Sequence, residues 1–201
     1  HEMKTPLTAI LGFSDILTIN PNLTQEQTKE YSGYIYKEAL RLKVMSGKLM
    51  QLAQLGENNV VHECIDIGEV LKEVIQSEQT ILRTNNITIH DKMIHGNVMA
   101  DKDLMKSLFY NILDNAGKAT NAGGYIDVLM KKDMKNIQIC VTDYGVGIPK
   151  DEVIKVMEPF YMVDKSRTRK DGGAGLGLAL CKKIIEISDG TINIDSDIGK
   201  G

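Results

Sequence analysis

The chain of 201 residues contains no tryptophan, three phenylalanines and four prolines. Its ten methionines read as adaptable core filler and not as a cofactor-binding box. Cysteine is scarce. Cys64, Cys140 and Cys181 stand far apart with neither metal nor redox spacing, which suits a reduced, cytoplasmic setting. There is no excess of positive charge either: the net charge is −3 with the signs mixed, so the basic stripe of a nucleic-acid binder is missing. No apolar run approaches the roughly 20 residues of a membrane span, and no signal peptide precedes the first helix. The chain starts without methionine and stops on the turn signal Gly199-Lys200-Gly201, so it reads as a piece of a longer protein. Any membrane attachment would then belong to the missing parts.

What is present is ordinary folded material, 42% hydrophobic and 25% charged, enough for one large or two small domains. Leu7, Ile10, Leu11, Phe13, Ser14 and Leu17 form a helical stripe that ends at the breaker Asn20-Pro21-Asn22. Tyr31, Ile35, Glu38, Leu42, Met45, Leu49 and Leu52 follow at alternating steps of four and three, a coiled-coil-like seam interrupted by Glu38. Two such helices make an antiparallel hairpin with too little core to stand alone, so residues 1–56 are expected to pair into a four-helix bundle in a dimer. Packing on the chain's own second half is the alternative.

Gly56-Glu57-Asn58-Asn59 reads as a linker to a second domain, 57–201. Helices are expected at Ile67–Leu82, after Asp101 as a cap, near Glu152–Met157 and over Leu176–Ser188. Strands are expected at Ile87–Ile89, Val98–Ala100, Tyr125–Met130, Ile137–Val141 and Thr191–Ile194. Without strict βαβ alternation this describes an α/β sandwich with a mixed sheet, and the whole chain is α+β.

Three segments of the second half carry candidate chemistry. Asn111 and Asn115 share one helix face, with Lys118 one further turn along. Amide oxygens can ligate Mg²⁺ and an ammonium can neutralise phosphate, although a solvated polar face is the simpler reading of these residues alone. Asp143-Tyr144-Gly145-Val146-Gly147-Ile148 follows an alternating strand. The aspartate can accept from an exocyclic amine, and the glycines let backbone approach a flat ring. A strand-terminating turn accounts for the same residues equally well. Gly173, Gly175, Leu176 and Gly177 open the last helix, whose free N–H groups favour phosphate. Neither the Rossmann nor the Walker pattern is met there. The charged run from Met162 to Asp171 is either a lid over phosphates or an exposed loop.

Taken together and in this order, the segments resemble the sensor histidine kinases of two-component systems. The ATP-binding fold of those kinases, the Bergerat type, is shared with gyrase, Hsp90-type chaperones and MutL. His1-Glu2-Met3-Lys4-Thr5-Pro6-Leu7 resembles the phosphoacceptor box, and 111–118 the asparagine box. Residues 143–148 resemble the first glycine box, Pro159-Phe160-Tyr161 the phenylalanine box and 173–178 the second glycine box.

The resemblance implies ATP and Mg²⁺ as cofactors, with Asn115 as the metal ligand, Asn111 in support and Lys118 on phosphate. It places Asp143 on the adenine amine and Gly145 and Gly147 at the base. Gly173, Gly175, Leu176 and Gly177 would lie on the phosphate side, and Tyr161 of the phenylalanine box and Arg167 would also contact the nucleotide. The ATP-hydrolysing relatives carry a water-activating glutamate where this chain has Asn111. An amide is no general base near neutral pH, which favours transfer to a protein nucleophile over hydrolysis. Met162 stands where many of these kinases have an arginine, leaving Arg167, Arg169 or Lys165 as substitutes.

The same resemblance makes His1 the phosphoacceptor, with Glu2 orienting or deprotonating its imidazole. Thr5 lies one helical turn on, placed to hold a water for dephosphorylation of the partner. That partner would be a response-regulator receiver domain, and the protein itself a homodimer with no nucleic acid bound. Physics alone also allows Thr5 to cap the helix, with Pro6 at its first position and residues 1–4 as a tail. The resemblance instead runs helix through His1, with Pro6 leaving the Glu2 carbonyl unpaired. Two other functions fit parts of the pattern, an ATPase clamp of the same superfamily and a non-catalytic dimerisation module.

Overall fold

The structure, a computed structural model, describes residues 1–55, 60–163 and 174–201. The expected linker at 56–59 and the run 164–173 lie outside the described residues.

Two antiparallel helices come first, α1 (Lys4–Ile19) and α2 (Gln25–Gln54). Thr24 starts α2 with a reciprocal capping box: its hydroxyl accepts from the Gln27 N–H, and the Gln27 side chain accepts from the Thr24 N–H. Phe13 locks the hairpin by stacking on Tyr31 and Tyr34, with ring centroids 5.7 and 5.0 Å away. Only Pro6, Arg41 and Met45 are fully buried among the two helices' described residues. Leu7 and Leu11 on α1, and Leu40 and Val44 on α2, stay exposed at helical spacing. The Glu38 that interrupts the seam pairs with Arg41 at 3.8 Å.

Helix α1 begins at Lys4, which revises both readings of the N-terminal box. Lys4 N–H reaches the His1 carbonyl in a turn, and Leu7 N–H reaches the Met3 carbonyl. Pro6 has no N–H for the Glu2 carbonyl, so regular helix starts only past that gap. Met3, not Thr5, holds the N-cap position.

At 1.5 Å per residue, α2 outruns α1 by about 20 Å. Its far end packs on the second half of the chain. There β1 (Glu63–Asp66) pairs antiparallel with β3 (Asn97–Ala100). A separate mixed sheet has the order β2-β4-β5, from β2 (Thr88–Lys92), β4 (Tyr125–Lys132) and β5 (Ile137–Asp143). β2 runs parallel to β4, and β4 antiparallel to β5. Among the described residues three helices complete this half: α3 (Ile67–Leu82), α4 (Lys102–Ala119) and α5 (Gly177–Ile187). Asp66 caps α3 and Asp101 caps α4, each through its carboxylate. Leu71, Val74, Leu113, Ile126, Leu180 and Ile184 have no exposed surface and join helices to sheet in one core.

Three expectations need correction. β1 was not anticipated: only Ile65 of its four residues is buried, and its identity comes from pairing with β3. Thr191–Ile194 is not a strand. Its burial alternates as a strand's would, but no ladder joins it to a neighbour among the described residues. The helix near Glu152–Met157 shrinks to turns and a 3₁₀ turn at Lys155–Met157. Glu158 is extended because Pro159 follows it, which stops helix growth there.

Candidate nucleotide site

Helix α4 carries the asparagines, and its direction is set by the Asp101 cap and by Met105, Leu108, Phe109 and Leu113 packed inward. On the adjoining face Asn111 is nearly buried, and its amide N–H donates to the Ser107 carbonyl at 2.7 Å. Asn111 and Asn115 both look onto the first residue of α5. A Cβ placed on Gly177 would stand 3.2 Å from Asn111 Oδ1 and 3.6 Å from the Asn115 amide. Among the described residues no side chain caps α5, whose N-cap position is the fully buried Leu176. Two amides and an uncapped helix N-terminus therefore meet across a space that glycine keeps open. That arrangement suits a metal-bridged phosphate, because amide oxygens take a hard cation and free N–H groups take the anion.

Lys118 is near this cluster, but its ammonium bonds to Asp114 at 2.7 Å. Cys181 lies under it, its thiol directed to the Leu108 carbonyl at 3.7 Å and pushed up to about 12 by burial, so it is inert.

The end of β5 brings in the second group. One carboxylate oxygen of Asp143 accepts the Gly145 N–H at 3.0 Å, leaving the other for a ligand. Gly145 is buried against the Ala119 carbonyl at the C-terminal end of α4, so this turn and the asparagines share one helix. Gly147 has φ +69° and presses on the Asp197 carbonyl, so a side chain there is excluded twice over. The Ile148 N–H is held by the Ser196 hydroxyl at 2.8 Å.

Gly175, with φ +65°, backs directly onto Phe160, itself at φ +67°. Phe160 N–H donates to the Gly175 carbonyl at 2.7 Å, joining the phenylalanine and second glycine segments. The Tyr161 hydroxyl bonds to Glu152 and its ring lies 5.9 Å from the Lys155 ammonium, so its described contacts run away from the asparagines. Met162 is buried and apolar. Arg167 and Gly173, with Lys165, Arg169 and most of the expected lid, lie outside the described residues.

His1, Glu2 and Thr5 are grouped apart from this site. With Lys4, Thr8 and Ala9 they line one open, shallow depression at the start of α1.

Sequence reasoning missed one functional candidate. Lys48 of α2 reaches Asn111 Oδ1 at 2.6 Å. Its place beside the apolar seam was the available signal, but a partner 63 positions away is invisible to periodicity.

An α/β domain with paired asparagines facing a glycine-rich helix start, joined to a helical hairpin, defines the class: a nucleotide-binding kinase core. Residues 1–58 match the His Kinase A (phospho-acceptor) domain, and residues 100–201 match the Histidine kinase-, DNA gyrase B-, and HSP90-like ATPase family. The chain belongs to the histidine kinases, carrying both the phospho-acceptor domain and the ATP-binding catalytic domain of that family. Over 203 residues it is 30% identical to Sensor protein CiaH of Streptococcus pneumoniae serotype 4, covering all of this chain and 46% of that protein. It is likewise 30% identical to Sporulation kinase A of Bacillus subtilis, covering all of this chain and 32% of that protein. The chain thus spans half or less of the length of these relatives. Its fold matches that of the Acinetobacter baumannii histidine kinase AdeS with a TM-score of 0.78 at 20% identity, over all of this chain and 93% of that one. The histidine kinase ThkA, solved in complex with the response regulator TrrA, matches at a TM-score of 0.74 and 24% identity, over 94% of this chain and 53% of that one. No described helix is long and apolar enough to cross a membrane.

Proposed function

We propose that residues 57–201 hold Mg-ATP and that His1, on the hairpin domain 1–56, takes its γ-phosphoryl group and passes it to an aspartate of a response-regulator receiver domain. The observation that carries this reading is the convergence of Asn111 and Asn115 on Gly177 at the uncapped start of α5. Asn115 would hold the Mg²⁺, which supplies charge compensation on the phosphates. Asn111 supports that face and, being an amide, leaves water unactivated, which favours transfer over hydrolysis. Asp143 accepts from the adenine amine with its free oxygen, while Gly145 and Gly147 keep the base wall thin.

His1 attacks in line through Nε2. Glu2 accepts the hydrogen bond from Nδ1–H and stabilises the positive charge that builds on the ring. Thr5, in the same depression, positions water for the reverse task of dephosphorylating the regulator. The exposed Leu7, Leu11, Leu40 and Val44 support a four-helix bundle with a second copy. The need for ATP places this core on the cytoplasmic side.

The test is labelling with γ-labelled ATP in the full-length protein. Acid-labile, base-stable label on wild type and none on His1→Gln is the expected result. Label persisting on the variant sinks the assignment of His1, and free phosphate without protein label points to an ATPase clamp.

A further inference from the structure

The asparagine cluster contains a cation from outside the domain that builds it. Lys48 lies on α2, where Met45 is fully buried in a small core with Ala174 and Leu176, backed by Leu49, Leu52 and Phe160. Three residues after Lys48, Gln51 donates to the Ser107 hydroxyl on α4 at 3.0 Å. These contacts fix the Lys48 stem and aim its ammonium at the cluster. Nζ donates to Asn111 Oδ1 at 2.6 Å and would stand 3.6 Å from a Cβ on Gly177.

Among the described residues no carboxylate pairs with that charge. Asp114, whose charge acts on Lys48, is bonded to Lys118 at 2.7 Å. Burial pushes the Lys48 ammonium below the usual lysine range; Asp114 pulls it back and Lys118 adds to the lowering. A partly desolvated ammonium held by an amide, beside an uncapped helix N-terminus, is complementary to an anion.

We propose that Lys48 is a phosphate-binding residue of the nucleotide site, supplied by the hairpin to the outer phosphates of a nucleoside triphosphate. This rests on reading the asparagine cluster as that site. The ligand and the docked hairpin then reinforce one another, since each brings charge that the other lacks.

The experiment is calorimetric titration of the full chain with a non-hydrolysable Mg-ATP analogue and, separately, with adenosine. Lys48→Met should bind the analogue about tenfold more weakly, the loss of one hydrogen bond to a charged group, with adenosine affinity unchanged. Lys48→Arg should recover most of the loss. Equal or tighter analogue binding by Lys48→Met overturns the proposal, the tighter result making Lys48 a competitor of Mg²⁺ for Asn111. An equal loss for adenosine also overturns it, by showing a structural role. Wild-type protein that binds neither ligand would refute the nucleotide reading itself, a result separable from failure at Lys48 alone.

Discussion

Gly175→Ala tests the turn that launches α5. Gly175 sits at φ +65°, where an L side chain costs about 1–2 kcal/mol. The added Cβ would also stand 2.7 Å from the Phe160 carbonyl carbon and 2.8 Å from the Tyr161 carbonyl oxygen. Both are backbone atoms, and Phe160 is pinned by its own bond to Gly175, so no flexible side chain can give way. Overpacking of this kind adds roughly 1–3 kcal/mol. The combined loss, about 2–5 kcal/mol, is a large share of the ~5–15 kcal/mol that holds a domain together. Urea denaturation should show a lower midpoint at unchanged slope, accompanied by weaker nucleotide binding. Gly33→Ala is the control: its Cβ meets nothing within 4 Å, and helix propensity alone should stabilise by up to about 1 kcal/mol. Two variants with equal midpoints would refute the reasoning, because the turn would then be tolerating what its geometry forbids.

Leu180→Ala removes a fully buried side chain between α4 and α5 and should cost about 2–5 kcal/mol in the same denaturation assay. The Asp66 carboxyl gives a pH dependence. The His95 side chain, with help from the Gly96, Glu69 and Gly68 amides, holds it down to about 2. Because the folded value is depressed, this support for α3 is present above the ordinary carboxylate range near 4 and is lost as pH falls from there towards about 2. Protection from hydrogen exchange at the start of α3, relative to the intrinsic rate at each pH, should fall across that window in wild type and show no such step in Asp66→Asn.

Elements that carry their own signal were legible in the sequence. Ile67–Leu82 and the helix capped by Asp101 have apolar periodicity long enough to set their bounds. That Asn111 and Asn115 share a face followed from their spacing of four, and both do lie beside Gly177. What stayed hidden depends on partners. Glu63–Asp66 is a strand through Asn97–Ala100, Thr191–Ile194 finds no ladder partner among the described residues, and Lys48 bonds to Asn111. No local window contains those relations. At the start of α1 the gap that Pro6 leaves at the Glu2 carbonyl was legible, and the boundary at Lys4 was not.

The uninterrupted run of α2 from the Thr24 cap to Gln54 has a mechanical consequence. An α-helix transmits torque along its length, so twisting its capped end also turns its far end. A side-chain tip about 5–6 Å from the axis sweeps about 2 Å for a 20° turn, judged from helix dimensions. Met45, Lys48 and Gln51 all ride on that end, and the bonds of Lys48 and Gln51 to α4 measure 2.6 and 3.0 Å. A rotation of that size would therefore stretch both bonds at once, coupling a turn of the hairpin to the asparagine cluster.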